Sequence, residues 1–319
     1  MYYYIMAFGD IIWKSTTWKI LREIPPFSLL RKMYWRFDAW LKKNAVRRKC
    51  GQLNKKILSL SCKKTSYDFG DIYISLTTYP ARIDSAYFAI CSILDQTVRP
   101  NKVVLTLIKE EFPQGEDELP LEIKSLKEKG LEVIWGDENL RPHNKYFYSM
   151  QKYTNALIIT IDDDILYPSD TIEKLINCYK KFPTSISAFH TDKFSFYNNR
   201  LDKYSKAIIG CNLEILIPKH NLLAEGFAGV LYPPSVLPPE TFNKDLIKKS
   251  SPLNDDIWLK CIELKYGIPV VCASPIHKEL VMMDKQATAL FLQNRVMNYN
   301  DEQLDAAQEI LGIEFPPDE

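Results

Sequence analysis

The sequence predicts an α/β fold with a mainly parallel sheet. From about residue 70 to residue 275, short apolar, β-branched runs alternate with segments whose apolar residues recur at helical spacing. The order strand, helix, strand, helix, strand predicts parallel strands with helices on both faces of the sheet. Ligands of such sheets bind at the carboxyl ends of the strands, and one predicted strand ends there in three consecutive acids.

The first half of this region supplies four strands and the helices between them. Each strand is a short apolar run, at 71–78, 103–108, 131–135 and 156–161. Asp84 or Ser85 caps a first helix. A mostly charged helix at 121–129 ends at Gly130. A third helix, at 145–153, precedes the acid-tipped strand.

The second half continues the alternation. A helix with one apolar face follows the acids, and a strand is predicted at 186–189. A glycine-bracketed loop at 226–234 runs into a short strand. A helix from Asn254 to about Tyr266 precedes a late strand at 269–274. Asn300 and Gln303 resemble the capping box of a last helix that Gly312 stops.

Composition places the chain among ordinary globular proteins, with 319 residues, 46% of them hydrophobic and 25% charged. Its seven cysteines are scattered and include no Cys-x-x-Cys, which favours reduced thiols over disulfides or a zinc site. The first residues lack the basic-then-apolar order of a signal peptide. No uninterrupted apolar run reaches the roughly 18 residues of a membrane span. We expect a cytoplasmic protein.

Charge divides the chain at about residue 66. Residues 1–66 carry 15 Lys or Arg against 3 acids, a net charge of +12, whereas the remainder has a net charge of −11. This basic segment also holds four of the six tryptophans. We therefore expect a helical extension at 1–66, a linker at 51–70 and a second domain at 67–319.

The extension is suited to an anionic membrane surface, because aromatic rings lie at headgroup depth while cations bind the lipid. Its predicted apolar stripe contains Leu30, Met33, Tyr34, Phe37 and Leu41. The alternative is a helix that packs on the acidic domain or on a second subunit. Charge alone would also permit nucleic-acid binding, but no other feature supports it.

The three acids are Asp162, Asp163 and Asp164, directly after the fourth predicted strand. Side chains alternate along a strand, so Asp162 and Asp164 are expected on one side and Asp163 on the other. Two carboxylates on one face repel each other unless a hard divalent cation lies between them, and Mg²⁺ or Mn²⁺ prefers oxygen ligands. The alternative is a solvated acidic turn before a helix capped by Ser169.

Four motifs then carry a resemblance to a known family. In order they are Ile74-Ser75-Leu76-Thr77-Thr78-Tyr79-Pro80-Ala81-Arg82, the aspartate triplet, the loop at 226–234, and Asn254-Asp255-Asp256-Ile257-Trp258. Together they resemble bacterial nucleotide-sugar glycosyltransferases of the GT-A fold, in particular enzymes that build polysaccharides. The resemblance covers about residues 70–290 and implies a Rossmann-like, mixed but mainly parallel sheet. Residues 1–66 lie outside it.

The resemblance implies a Mn²⁺ or Mg²⁺ ion that stabilises the leaving diphosphate as a Lewis acid. It assigns Asp164 as a direct ligand and gives Asp162 to the metal or the ribose. Asp163 is a weaker candidate for the same donor site. His277 is placed as a further ligand, the alternative being a surface histidine.

The donor nucleotide is expected over the tip of the first strand. The resemblance makes Thr77, Tyr79 and Arg82 candidates for contacts to base, ribose or phosphate, although they could be ordinary strand and surface residues. Lys145, at the start of a helix, could hold a phosphate as a point charge, helped by the helix N-terminus. The alternative there is plain capping of the helix by Asn144.

Asp255 and Asp256 resemble the acidic pair that supplies the base in inverting members, and Asp256 is our choice. A helix N-terminus favours ionised carboxylates, which makes them weaker bases but does not exclude the role. The alternative is that both cap the helix. For the acceptor, the candidates are Trp258, which could stack on a sugar or pack in the core, and the glycines Gly226 and Gly229. These glycines permit close approach of backbone to a ligand, or they are only turn residues.

The sequence thus predicts a metal-dependent glycosyltransferase that moves a sugar from a nucleoside diphosphate sugar, by default a UDP-sugar, to a glycan or lipid-linked acceptor. Three alternatives stay open: a retaining transferase, a metal-dependent nucleotidyltransferase or phosphohydrolase, and a non-catalytic carbohydrate-binding protein. A lipid-linked acceptor would explain the basic aromatic extension, with the protein bound peripherally to the inner face of the cell membrane.

Overall fold

A computed structural model describes residues 25–60, 66–209, 216–274, 280–283 and 299–313. The chain divides into two compact units, residues 1–52 and 53–319. In the described residues, no helix has both the length and the apolar character needed to cross a bilayer.

Helix α1 (Pro25–Ser59) contains the described part of the first unit. It carries a row of exposed apolar side chains at intervals of four, four and three residues: Leu29, Met33, Phe37 and Trp40, each 59–60% exposed. Residues at these intervals lie on one side of a helix. Of the expected stripe, Met33 and Phe37 belong to this row and Tyr34 and Leu41 are half-buried, whereas the side chain of Leu30 lies outside the described residues.

The linker expected at 51–70 is wrong for its first part, because α1 continues to Ser59. Leu53 and Ile57 are buried, one helical turn apart on the same side. Burial of an apolar face favours a helix over the flexible segment that the basic, polar composition suggested.

The second unit alternates strands and helices as expected. Its strands are β1 (Ile72–Thr77), β2 (Lys102–Ile108), β3 (Leu131–Gly136), β4 (Leu157–Thr160), β5 (Ile165–Leu166), β6 (Ile186–Ala188), β7 (Thr191–Lys193), β8 (Phe196–Tyr197), β9 (Arg200–Leu201), β10 (Leu222–Ala224), β11 (Val230–Tyr232), β12 (Val270–Cys272) and β13 (Val281–Met282). Its α-helices are α2 (Ile83–Leu94), α3 (Leu121–Ser125), α4 (Asn144–Lys152), α5 (Thr171–Lys181), α6 (Lys244–Ser250), α7 (Asp255–Lys265) and α8 (Tyr299–Leu311). The predicted charged helix is α3 followed by a 3-10 helix, Leu126–Lys129, which ends at Gly130 with φ of 102°.

In the part of the chain that the structure describes, seven strands form the central sheet, in the order β3-β2-β1-β4-β11-β6-β12. Four of its six strand pairs are parallel, and β11 runs antiparallel to both of its neighbours, β4 and β6. The predicted mixed, mainly parallel α/β sheet is confirmed.

Helices cover the sheet on both faces, so consecutive residues of β1 are buried whichever way they point. Ser75 and Leu76 are both fully buried. On the Ser75 side lies α4, because the Ser75 hydroxyl donates to the carbonyl of Lys145 at 2.6 Å and lies 2.7 Å from the Ser149 hydroxyl. This contact fixes the first turn of α4, and with it Lys145, against the middle of the sheet.

Candidate active site

Among the described residues, four segments bring polar side chains to the carboxyl end of the sheet, and a fifth brings backbone amides. The aspartate triplet follows β4, and Arg82 ends a 3-10 helix, Pro80–Arg82, just after β1. Lys145 lies in the first turn of α4. The other two segments are the 3-10 helix Gly226–Ala228 before β11 and the first turn of α7. The triplet and Arg82 follow parallel strands, whose carboxyl ends meet at one edge. The 3-10 helix before β11 reaches the same edge because β11 runs antiparallel to its neighbours.

The triplet departs from the expected alternation because β4 ends at Thr160, two residues before it. Asp162 contacts Lys145, with Oδ1 2.8 Å from Nζ. Asp163 and Asp164 instead share Arg82, whose guanidinium lies 3.2 Å from Asp163 Oδ1 and also contacts Asp164. In the irregular backbone beyond the strand, side-chain direction is set by these cationic partners.

Asp163 is the most buried of the three acids and accepts a hydrogen bond of 2.5 Å from the Thr78 hydroxyl. Burial raises the pKa of Asp163 to about 7, against the opposing influence of Arg82 and Thr78. Burial, together with the charge of Asp162, also raises the pKa of Asp164. Asp162 and Asp164 retain exposed side-chain surface, 31% and 19% respectively, through which a ligand can reach them.

Lys145 is buried between the triplet and α7. Its Nζ lies 2.8 Å from Asp162 and 3.0 Å from Asp255, and its side chain is only 8% exposed. Burial alone would lower the pKa of this ammonium group, but Asp162 and Asp255 raise it well above the usual value. Lys145 is therefore charged at neutral pH and joins two carboxylates from distant parts of the sequence.

The helix N-cap of α7 is Asn254, whose side chain accepts a hydrogen bond of 3.0 Å from the Ile257 amide. The acids after it point elsewhere: Asp255 to Lys145, and Asp256 to the Gly226 amide, which donates to Oδ1 at 3.0 Å. Burial and the neighbouring Asp255 raise the pKa of Asp256 well above its usual range. A raised pKa makes Asp256 a stronger base than a free carboxylate.

Gly226 is packed closely against two charged side chains of the site. A Cβ atom added there would lie 2.6 Å from Asp256 Oδ1 and 2.9 Å from Lys145 Nζ. Its amide lies against Asp256, so this glycine serves close backbone approach within the site. Gly229 differs, since its φ of 104° is the feature that requires glycine.

Tyr167 lies among the candidate site residues, although no pattern in the sequence marks it. Its buried hydroxyl accepts a hydrogen bond of 2.8 Å from the Asp162 amide and donates one of 2.7 Å to the carbonyl of Phe227. It thereby links the triplet to the 3-10 helix that contains Gly226. In the sequence it is only an aromatic residue closing an apolar run before Pro168.

The residues predicted to contact the donor nucleotide lie at or just after the end of β1. The Thr77 hydroxyl donates to the carbonyl of Thr106 at 2.9 Å, within the sheet. The ring of Tyr79 lies beside Arg82, 5.9 Å from its guanidinium carbon.

Trp258 is fully buried and donates to the carbonyl of Thr241, so its ring packs in the core and is not presented to an acceptor. His277 lies outside the described residues. A later residue, Met283, donates its backbone amide to the carbonyl of Asp164.

A second pair of acidic residues, Glu225 and Asp192, lies near Asp256. Glu225 is buried next to Gly226 and is hydrogen-bonded to Asp192, which lies 3.4 Å from His190. Burial and the charges of Asp256 and Asp192 raise the pKa of Glu225 well above its usual value. Two hydrogen-bonded carboxyl groups must share a proton, because an ionised carboxylate only accepts.

The composition of the site fits a divalent cation. Five carboxylates, those of the triplet and of Asp255 and Asp256, face two cations, Lys145 and Arg82. Among the described residues, no three His, Cys, Asp or Glu side chains form a ready-made metal cage. Mg²⁺ and Mn²⁺ sites that use one or two carboxylates and complete their shell with water and substrate phosphates need no such cage.

No protein-family model matches the chain, and no curated protein matches it in sequence. Among solved structures, the chain is similar to a mannosyltransferase from Pyrobaculum calidifontis, determined in complex with GDP-mannose and Mn²⁺. The two are 10% identical, and the match covers 87% of this chain and 74% of the other with a TM-score of 0.46. A likeness at this level says nothing of substrate or mechanism.

Proposed function

We propose that this chain is a metal-dependent glycosyltransferase that transfers a sugar from a nucleoside diphosphate sugar to a glycan or lipid-linked acceptor. One observation carries the proposal: Lys145 joins Asp162 of the triplet to Asp255 of α7 at the carboxyl end of the sheet. This brings acids suited to a cation and diphosphate next to acids suited to proton transfer. A transferase of this kind needs both at one place.

On the donor side, Asp162 and Asp164 are the residues that would hold Mn²⁺ or Mg²⁺. The bound ion would supply Lewis-acid stabilisation of the leaving diphosphate. Arg82 lies against Asp163 and Asp164, so its guanidinium is close enough to the proposed metal ligands to contact a phosphate of the donor. Lys145 adds a point charge beside Asp162. Thr77 and Tyr79, at the tip of β1, are the proposed neighbours of the nucleoside.

On the acceptor side, Asp256 is the proposed base. It accepts the proton of the acceptor hydroxyl as the new glycosidic bond forms, and the diphosphate leaves from the opposite face of the sugar, so that the anomeric centre is inverted. The Gly226 amide holds one oxygen of this carboxylate and leaves the other to receive the proton. Asp255, paired with Lys145, lies next to it in the sequence.

The exposed row on α1 supports docking to an anionic membrane surface. Lys32, Arg36 and Lys43 are exposed and each lies three residues after a member of the row, which makes them its neighbours on the helix surface. Apolar and aromatic side chains flanked by cations suit the boundary of an anionic lipid layer. An acceptor carried on a lipid would then be reached from the membrane surface.

Calorimetry and product analysis with a panel of UDP-glucose, UDP-N-acetylglucosamine and GDP-mannose, each with Mn²⁺, test the proposal. We expect metal-dependent binding and slow release of the nucleoside diphosphate without acceptor. D162A/D164A should abolish both, whereas D117A, which changes an exposed acid far along the sequence, should leave both unchanged. Release of pyrophosphate or inorganic phosphate would identify a nucleotidyltransferase or phosphohydrolase instead. Binding of no nucleotide at all would favour a non-catalytic protein.

The stereochemistry is tested separately. NMR of the product distinguishes inversion from retention of the anomeric configuration. A retained configuration would remove the need for Asp256 as a base while leaving the donor site in place.

A further inference from the structure

A hydrogen-bonded chain connects the aspartate triplet to the proposed base. It begins at the Asp162 amide, which donates to the Tyr167 hydroxyl at 2.8 Å. The hydroxyl donates in turn to the carbonyl of Phe227 at 2.7 Å. The residue before Phe227 is Gly226, whose amide donates to Asp256 at 3.0 Å. One buried hydroxyl thus stands between the two halves of the site.

Lys145 closes this chain into a ring. Its ammonium group lies between the carboxylates of Asp162 and Asp255, and Asp255 is the residue next to Asp256. The two links differ in kind. Lys145 joins flexible side-chain ends, whereas Tyr167 joins backbone to backbone through a rigid ring.

Tyr167 is well fixed for such a role. Its ring is 2% exposed, and its own amide donates to the Ser92 hydroxyl in α2 at 3.1 Å. Both ends of the side chain are therefore held, so the hydroxyl sets the distance between the Asp162 backbone and the Phe227 backbone. A mobile side chain could not transmit a position in this way.

We propose that Tyr167 is a positioning residue. It holds the 3-10 helix at 226–228, and through it the carboxylate of Asp256, at a fixed place relative to Asp162. This inference rests on the proposed function for its catalytic consequence, but the link itself is a property of the fold. Displacement of a catalytic group by about 1 Å can lower turnover roughly 100-fold, so the hydroxyl matters even though it touches neither substrate.

The chain offers a matched control in Tyr148. Its hydroxyl also accepts one backbone amide, that of Glu138 at 3.0 Å, and donates to one carbonyl, again that of Glu138 at 2.7 Å. Tyr148 is half-buried on α4 and its hydroxyl bonds lie outside the ring of site residues. Y167F and Y148F therefore each remove one accepted and one donated hydrogen bond. Y167F does so within the site, and Y148F does so outside it.

The first measurement is hydrogen exchange of the full-length protein without ligand. In Y167F we expect amides in both 160–164 and 225–229 to exchange at least tenfold faster than in the wild type. In Y148F those two segments should exchange at the wild-type rate. This readout needs no activity, so it tests the link even if no nucleotide sugar is turned over.

The second measurement is hydrolysis of whichever of UDP-glucose, UDP-N-acetylglucosamine or GDP-mannose reacts fastest with Mn²⁺. We expect Y167F to lower kcat about 10- to 100-fold with KM changed less than threefold, and to cause no further loss in a D256N background. Equal exchange and equal kcat in Y167F and Y148F would overturn the proposal. Faster exchange in Y167F together with an inactive wild type would support the link and reject the proposed function.

Discussion

The ammonium group of Lys145 lies 2.8 Å from a carboxylate oxygen of Asp162. It is also 3.0 Å from Asp255, so one buried cation neutralises two acids that reach the site from different elements. A buried charge is tolerated only when it is paired, and here each partner depends on the others. The stability of the site and its chemistry are therefore coupled through Lys145.

Replacing Lys145 with methionine should be strongly destabilising. K145M leaves the carboxylates of Asp162 and Asp255 without their shared cation, and breaking a buried ion pair lowers the free energy of unfolding by about 3–5 kcal/mol. K109M is the control, because Lys109 pairs with Asp137 on the surface, where such pairs contribute about 0–1 kcal/mol. Chemical denaturation measures both.

A second substitution separates the pair from simple misfolding. D255N in the K145M background removes one of the uncompensated charges and should recover part of the lost free energy of unfolding. Equal, small effects of K145M and K109M would show that Lys145 does not hold these acids in solution.

A side chain at position 226 should displace two charged groups of the site. In G226A the new Cβ meets Asp256 Oδ1 at 2.6 Å and Lys145 Nζ at 2.9 Å, so both charged groups must move. We expect the free energy of unfolding to fall by about 1–3 kcal/mol and donor turnover to fall by more than tenfold. Thermal unfolding and nucleotide-sugar hydrolysis measure the two effects.

G51A is the matched control for the glycine substitution. Gly51 lies within α1, and an added Cβ meets nothing within 4 Å. Alanine in an open helical position should raise stability by about 0.5–1 kcal/mol. A G226A protein as stable and active as the wild type would remove this glycine from the site.

The fold was predictable because its strands and helices are marked locally. Apolar runs placed β1, β2, β3 and β12 within one or two residues, and Asn254-Asp255-Asp256 marked the start of α7. The end of β4 was not predictable, because the apolar run continues through Ile161 and does not show where hydrogen bonding to the neighbouring strands stops. That small difference changed which acids share a cation.

The site was predictable as a set of residues but not as a set of contacts. Lys145, Asp162, Asp255, Asp256 and Gly226 were all named from the sequence, yet the bonds among them join residues far apart in the chain. Local patterns carry no information on such pairings. The predicted capping box illustrates the same point, because its two polar side chains bond instead to the loop before α7.

The row on α1 should bind vesicles that contain phosphatidylserine. F37S/W40S removes two of its exposed apolar side chains and should weaken binding at least tenfold, because burial of each large side chain contributes about 1.5–3 kcal/mol. W35S is the control, since Trp35 is 48% exposed but lies off the row. Co-sedimentation with vesicles measures binding, and it should weaken as salt rises.

Two results would contradict membrane docking. One is equal loss of binding in W35S and F37S/W40S, which would indicate no oriented surface. The other is unchanged binding after deletion of residues 1–50, which would place the lipid contact elsewhere.

Glu132 should give the protein a dependence of stability on acid pH. Burial alone would raise the pKa of Glu132, but hydrogen bonds from Lys102, Lys152 and Tyr153 outweigh it and lower the pKa to about 2 from an ordinary 4.5. A carboxyl whose pKa is lower in the folded state stabilises the fold above its unfolded pKa and loses that effect as pH falls through the folded value. The contribution is therefore complete above about pH 5 and disappears between pH 4.5 and 2.

E132Q tests this directly, because the amide keeps the shape but carries no charge. The side chain is 29% exposed, so solvent screening limits the expected loss at pH 7 to about 1 kcal/mol. The difference in free energy of unfolding between wild type and E132Q should stay constant from pH 7 to 5 and shrink towards zero near pH 2. Urea denaturation at a series of pH values measures it. A difference that grows as the pH falls would have the wrong sign for a lowered pKa and would contradict the ion-pair cluster around Glu132.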